Sequence, residues 1–292
     1  MAAVMILEAR GRRVEFPRRP LVMGIININD DSFCGDGTLD ITAALAQADA
    51  AIRAGADVID IGAESARTNR GPISEDEEVA RLVPFLEEWP ALIAKSSPSD
   101  DAQLWPPVLS INTWRCAVIE RVLPHGGDLL NDISALPDAT NAKLCVQHGV
   151  ALLIMHSVGQ PKVPHTHVSY PDVMETLGAF FEDKIQLALD AGLRSQQIVI
   201  DPGIDFAKQK DDNLAIYRHL DLLHRWQRPI LLPVSRKTVI GDVLGLPDPN
   251  ERDAGTIACI AAGMQRGAHI FRVHNVRAAF QAVKTIWAVT SC

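Results

Sequence analysis

Polar residues recur where apolar runs end along this chain of 292 residues. Asn27, Asn112, Asn131, Asp201 and Arg272 each directly follow such a run. In a barrel of parallel strands, side chains at the carboxyl ends of the strands form the active site. Amides, carboxylates and a guanidinium gathered there would suit a ligand that has both a polar ring and an anionic group.

Two carboxylates, Asp60 and Asp201, follow strand-like residues. Asp201 is the stronger candidate, because the Pro-Gly pair after it turns the chain at once and leaves the carboxylate facing the barrel mouth. There it could accept two N–H donors from a planar amino-heterocycle, although a helix cap or an ion pair with a lysine is the alternative. The amides of Asn112 and Asn131 offer a donor and an acceptor each, which fits a heterocycle edge, with backbone capping as the alternative.

Basic residues follow the last two predicted strands. The run 235–237 (Ser-Arg-Lys) precedes a predicted helix that begins at Thr238, and a helix start after a barrel strand favours anions. Arg272 and His274 lie two residues apart, so their side chains share one face of the strand and form a plausible phosphate pair. For each of these residues, a surface ion pair is the alternative.

Metal-ligand spacing is weak in this sequence. Asn27 and Asp31 could hold Mg²⁺ through one oxygen and several waters, as Mg²⁺ often does beside substrate phosphates. His156 is expected to be a structural, hydrogen-bonding histidine. The 5 cysteines show no CxxC spacing, which argues against a zinc cage or a disulfide framework and favours a reducing cytoplasm.

Short apolar runs alternate with helical patterns, which predicts an α/β fold: a single (β/α)8 TIM barrel with a short N-terminal β-hairpin. We assign residues 1–292 to one domain, with the hairpin in 1–18 and the barrel in 20–290. A net charge of −8 gives no reason to expect nucleic-acid binding, and no segment reaches the length of a membrane span. The predicted strands are 21–26, 58–61, 108–111, 128–130, 151–154, 198–200, 229–232 and 269–273. Predicted helices include 41–54, 76–86, 116–123, 174–191 and 253–266.

From about Leu21 to Val276, blocks of this sequence resemble, in order, those of the dihydropteroate synthase family, the pterin-binding barrel enzymes of folate synthesis. The combination is specific, although each short block alone is weak. The matching blocks are 24–33 (family GILNVTPDSF), 60–71 (DIGGESTRPG), 110–113 (SIDT), 130–133 (IND), 155–156 (MH), 201–208 (DPGFGFGK), 235–237 (SRK) and 272–276 (RVHDV).

The resemblance implies a cytoplasmic transferase, a sulfonamide target and a homodimer, which joins a pterin pyrophosphate to p-aminobenzoate with Mg²⁺ as cofactor. It implies pterin contacts from Asn112, Asn131, Ile133, Met155, Asp201 and Lys237. It implies pyrophosphate contacts from Asn27, Arg272 and His274, with Asn27 also holding the metal. It implies p-aminobenzoate contacts from Arg67, Phe206, Ser235 and Thr238, and catalytic roles for Asp31, Asn112 and Lys237.

The chain departs from the family pattern at several of these positions. Asn112 replaces the aspartate of SIDT, which removes a negative charge, and Ala66 removes a hydroxyl. Asp205 and Ala207 replace two glycines of DPGFGFGK. Two alternatives therefore stay open: a pterin-binding paralogue without synthase activity, and a methyltransferase that binds methyltetrahydrofolate on a related barrel. Retention of the SRK block and of Arg272 with His274 argues against the methyltransferase.

Overall fold

A short antiparallel hairpin precedes the main fold. The computed structural model describes residues 4–30, 35–66, 71–163 and 167–290. The hairpin pairs β1 (Met5–Ala9) with β2 (Arg12–Phe16), as the sequence predicts. Leu7, Val14 and Phe16 alternate with polar residues and are buried, so one face of the hairpin packs on the protein.

The described residues then form an eight-stranded parallel sheet. The strands are β3 (Leu21–Asn27), β4 (Val58–Gly62), β5 (Val108–Asn112), β6 (Leu129–Asp132), β7 (Ala151–Met155), β8 (Ile198–Asp201), β9 (Leu231–Pro233) and β10 (Ile270–Val273). Their spatial order is β8-β7-β6-β5-β4-β3-β10-β9, and a parallel bridge between Ile200 and Ile230 brings the two edges together. The predicted TIM barrel is confirmed.

Helices follow the strands and cover the outside of the barrel. Side-chain caps begin several of them, since Asp40, Ser74 and Asp172 each accept a backbone N–H of the first turn that follows. Within the described ranges, no helix combines the length and the apolarity that a bilayer crossing requires. The helices are α1 (Ile41–Arg53), α2 (Glu75–Lys95), α3 (Cys116–Val122), α4 (Thr140–His148), α5 (Val173–Asp190), α6 (Lys210–Arg218), α7 (Thr238–Leu244), α8 (Asp253–Gln265) and α9 (Val276–Thr290).

Element boundaries differ from the sequence prediction in two instructive ways. Several strands extend one residue further and include the polar residue, because Asn27, Asn112 and Asp201 still take part in the parallel ladder. The helix predicted over 76–86 runs on to Lys95 through two prolines. Its buried face, which includes Leu82 and Phe85, packs in the outer core and holds the helix together.

The core has two layers. One lies between the strands and the outer helices, and the other fills the barrel interior. Alternation along each strand sends Met23 inward and Val22 outward. The hairpin residues belong to the inner layer, together with the first residues of the strands, so the hairpin closes the amino-terminal end of the barrel. The carboxyl-terminal end stays open.

Candidate active site

A cavity of about 620 Å³ lies at the open, carboxyl-terminal end of the barrel. Every residue to which the family resemblance assigns a role, and which the structure describes, lines this cavity. Asp31 and Arg67 lie outside the described residues. The predicted pterin contacts in the wall are Asn112, Asn131, Ile133, Met155, Asp201 and Lys237. The other predicted residues in the wall are Asn27, Phe206, Ser235, Thr238, Arg272 and His274.

Asp60, which we predicted to be a weaker candidate than Asp201, does not line the cavity but lies behind its wall, where it contacts Asn131 and Arg272. Its carboxylate is fully buried and accepts Nε of Arg272 at 2.7 Å and Oγ of Ser110 at 2.6 Å. Nδ2 of Asn131 lies 3.2 and 3.3 Å from its two oxygens. Asp60 therefore fixes one predicted pterin contact and one predicted pyrophosphate contact at once. Asn131 is thus not a backbone cap, and Arg272 is not a surface ion pair.

Asp201 ends β8 and is buried in the cavity wall. One carboxylate oxygen accepts the backbone N–H of Gly203 at 2.7 Å, which explains the tight turn after it. Burial raises the pKa of Asp201 to about 6, although that hydrogen bond and the charges of Lys237 and Lys208 act in the opposite direction. At neutral pH this carboxylate is therefore ionised and can accept N–H donors of a ligand.

Lys237 reaches into the cavity from the start of α7. Its ammonium donates to the carbonyl of Ile204 at 2.8 Å and lies 5.0 Å from the centre of the Phe206 ring. Burial lowers the pKa of Lys237, while the charges of Asp205 and Asp201 oppose the shift. The Lys237 ammonium thus lies between the carboxylate of Asp201, which is predicted to bind the pterin, and the ring of Phe206, which is expected at the p-aminobenzoate site.

The predicted pyrophosphate corner combines Arg272 with His274. Nδ1 of His274 lies 2.8 Å from Oγ of Ser235, and that hydroxyl also accepts the His274 backbone N–H at 3.1 Å. Burial lowers the pKa of His274 to about 4, so the imidazole is neutral at pH 7 without an anion nearby. It can still donate one N–H to a phosphate oxygen.

The amide of Asn27 has an oxygen of the kind that binds Mg²⁺. Its Nδ2 donates to Asp36 at 3.1 Å, and its oxygen is the acceptor of the same amide group. In the parts of the chain that the structure describes, no group of three or more His, Cys, Asp or Glu could hold a metal. The donor set therefore suits an ion held by one or two protein oxygens and by substrate phosphates, not an all-protein cage.

Lys208 is a buried residue for which the sequence predicts no role. Its amine donates to the carbonyls of Gly203 at 2.9 Å and Phe206 at 3.0 Å and lies 2.9 Å from Nδ1 of His156. Burial lowers the pKa of Lys208 to about 7 and that of His156 to about 3. His156 is the structural, hydrogen-bonding histidine expected from the sequence. Together the pair fixes the loop after β8, which carries Phe206.

The family model described as pterin binding enzyme matches residues 23–274. Dihydropteroate synthase of Bacillus subtilis is 34% identical over 274 residues, which cover 93% of this chain and 89% of that protein. The Escherichia coli dihydropteroate synthase is 32% identical over 288 residues, 98% of this chain and 97% of its own length. The chain belongs to the dihydropteroate synthase family of pterin-binding enzymes.

Solved structures of dihydropteroate synthases share the fold. The Yersinia pestis enzyme in a sulfonamide drug complex superposes with a TM-score of 0.87 at 35% identity, covering 98% of this chain and 99% of that chain. The Xanthomonas albilineans enzyme with 4-aminobenzoic acid gives 0.85 at 30% identity, covering 99% and 100%. These similarities confirm the predicted family, fold and transferase class.

Proposed function

We propose that this protein condenses 6-hydroxymethyl-7,8-dihydropterin pyrophosphate with p-aminobenzoate, giving 7,8-dihydropteroate and pyrophosphate. The observation that carries the proposal is that one cavity joins Asn131 and Asp201 to Arg272 and His274. A pterin pyrophosphate has N–H donors on its ring edge and an anionic group at its other end. It can therefore contact both sets of residues at once.

On this proposal the pterin ring lies over the floor of the barrel. Asp201 accepts two N–H donors of the amino-pyrimidine edge, and the amide oxygen of Asn131 accepts a third. Lys237 donates to the carbonyl side of the ring, and Asn112 faces its other edge. Ile133 and Met155 supply apolar contacts. These roles are supported by the position of each side chain in the cavity wall.

The leaving group is assigned to the corner formed by Asn27, Arg272 and His274. Because Asp60 holds Nε of Arg272, the remaining N–H groups of the guanidinium can point at phosphate oxygens. Mg²⁺, held through the Asn27 oxygen, would neutralise charge on the departing pyrophosphate. The C–O bond breaks with its electron pair on pyrophosphate, the amine nitrogen forms the C–N bond, and the amine then loses a proton. Catalysis is mainly orientation and electrostatics.

We assign p-aminobenzoate to the side of the cavity formed by Phe206, Ser235 and Thr238, and we assign Arg67, which lies outside the described residues, to the same substrate. Phe206 offers a ring face, and Thr238 begins α7 beside Lys237. Asp31, also outside the described residues, is proposed to act near the leaving group.

A homodimer in the cytoplasm is part of the same proposal. Val243 and Leu244 at the end of α7 are 54% and 50% exposed, which supports an apolar surface that a second copy would cover. Cys116, Cys145 and Cys259, free thiols among the described residues, are in keeping with a reducing compartment. Light scattering should give the mass of two chains.

The decisive experiment supplies purified protein with both substrates and Mg²⁺ and follows pyrophosphate release and dihydropteroate formation. Asp201→Asn is the negative control, because it removes the carboxylate that accepts the pterin N–H donors. We expect product from the wild type and none above background from the variant. Pterin binding without any pyrophosphate release would instead identify a silent paralogue, the alternative that Asn112 and Ala66 raised.

A further inference from the structure

Asp205 occupies a position in the loop after β8 where the family motif has glycine. Its φ is +68°, in the left-handed region that glycine adopts at little cost and aspartate tolerates better than most residues. An aspartate therefore holds this backbone conformation without the usual glycine. Hydrogen bonds hold its carboxylate in position, and two of them come from the start of α7, on the p-aminobenzoate side of the cavity.

The Asp205 carboxylate is clamped from two sides. It accepts the backbone N–H of Thr238 and, at 3.2 Å, that of Val239, the first two residues of α7. Nδ2 of Asn213 donates to it at 3.2 Å, and the Asp205 backbone N–H donates back to Oδ1 of Asn213 at 2.8 Å. Three hydrogen bonds to the carboxylate and one from the Asp205 backbone N–H therefore fix the position of this side chain.

This carboxylate lies in the wall that is assigned to the second substrate. Asp205, Phe206 and Thr238 all line the cavity. The backbone donors of Thr238 and Val239 are already occupied by Asp205, so they are not free for a substrate carboxylate. A second anion brought to the same place would also meet a fixed negative charge, and juxtaposed like charges discriminate against a partner.

We propose that Asp205 is a specificity-determining residue that disfavours an aryl amine with a para carboxylate relative to one with a neutral para group. The inference rests on the proposed function, because it concerns the amine that this reaction consumes. A carboxamide is the simplest probe of an aryl amine with a neutral, hydrogen-bonding para group.

A purely structural role for Asp205 as a helix cap predicts something different. Its loss would then lower stability and affect both kinds of amine alike. Asp212 offers a matched control, because its carboxylate accepts the backbone N–H of Gln209 at 2.8 Å at the start of α6 and it is not part of the cavity wall. Asp212→Asn thus removes a capping charge of the same kind from the neighbouring helix.

The test compares KM for p-aminobenzoate and p-aminobenzamide in the wild type, Asp205→Asn, Asp205→Gly and Asp212→Asn. Asparagine keeps one of the two acceptor oxygens without the charge, and glycine restores the family residue at this φ. We expect Asp205→Asn to lower KM for p-aminobenzoate at least about tenfold, equivalent to ~1.4 kcal/mol. KM for p-aminobenzamide should stay within about twofold, since no charge is involved. Asp212→Asn should leave the ratio of the two KM values unchanged.

Equal changes in both KM values, or no gain for p-aminobenzoate in either Asp205 variant, would overturn the proposal. Thermal melting of each variant shows whether it is folded under the assay conditions. If the wild type releases no pyrophosphate with either amine, the proposed function fails separately. Calorimetric binding of the two amines to the pterin-loaded protein then decides the role of Asp205 by the same ratio.

Discussion

Asn112 ends β5 at a position where the family pattern has an aspartate. It lies in register with Gly62 of β4 and Asn131 of β6, at the edge of the cavity. The nearby carboxylate of Asp60 is already paired with Arg272, so the floor of the barrel has little net negative charge to stabilise a cationic pterin.

We expect Asn112→Asp to keep activity or raise kcat, by up to about tenfold, because attraction to a cation grows as its charge develops. Pterin affinity should change less than about threefold, under 1 kcal/mol. Asn131→Asp is the matched control. It makes the same amide-to-carboxylate change on the neighbouring strand, β6. The new carboxylate would lie beside that of Asp60 and repel it, so we expect Asn131→Asp to abolish pterin binding. Steady-state kinetics and calorimetry decide, and loss of activity in Asn112→Asp would mean that the site needs a neutral amide there.

Asp201 predicts a pH dependence of pterin binding. Its pKa is about 6 in the folded protein, above the ordinary 3.8, so it is ionised only above pH 6. Affinity for 6-hydroxymethylpterin should therefore fall below pH 6, by roughly tenfold per pH unit at most. Calorimetry between pH 5 and 8 measures this effect, and a flat profile in the wild type would exclude Asp201 as the acceptor.

The same shift has the opposite sign for the stability of the ligand-free protein. Because the folded-state pKa of Asp201 is raised, its contribution to the free energy of unfolding is fully present below about pH 3.8 and is lost as the pH rises through 6. Urea unfolding of wild type and Asp201→Asn across this range separates the stability effect from the binding effect.

At the scale of elements, the loop after β8 depends on Lys208. Lys208→Met removes its hydrogen bonds to two loop carbonyls and to His156, which should cost about 1–3 kcal/mol of stability. Since the loop carries Phe206, KM for p-aminobenzoate should rise as well. Lys210→Met is the control, because the hydrogen bond from Lys210 to the carbonyl of Asp242 lies at the surface. Kinetics and urea unfolding of both variants test this, and equal effects would contradict it.

The lowered pKa of Lys208 also predicts how the free energy of unfolding depends on pH. Its folded value of about 7 lies below the ordinary 10.5, so the unfolded chain binds more protons between these values. The free energy of unfolding should rise with pH from about 7 to 10, and Lys208→Met should flatten that slope.

The elements were predictable from sequence wherever the pattern is local. Apolar runs gave the strands, and the polar residues after them, such as Asn27 and Asp201, do face one cavity. The role of Asp60 was not predictable, because its partner Arg272 lies 212 residues away and meets it only across the closed barrel. The contact between Asp205 and Thr238 likewise joins two loops that the sequence shows separately. Long-range pairing of this kind leaves no local pattern.

The two ends of the barrel serve different purposes: the amino-terminal end contributes packing, and the carboxyl-terminal end holds the candidate active site. The hairpin closes the amino-terminal end with Leu7, Val14 and Phe16, while the cavity occupies the other end. We therefore expect substitutions in the packing of the closed end to leave the geometry of the site at the open end unchanged.

Phe16→Ala tests this division. Phe16 is 1% exposed and packs edge-on against His269, with 4.9 Å between the ring centroids. Because its truncation leaves a cavity, the free energy of unfolding should fall by about 3–5 kcal/mol. Val4→Ala, at a side chain that is 59% exposed, should change it by less than about 0.5 kcal/mol. Urea unfolding measures both. Under conditions where each variant is folded, kcat should match the wild type within about twofold, since no group near the reacting atoms moves. A large fall in kcat for folded Phe16→Ala would show instead that packing at the closed end sets the geometry of the open end.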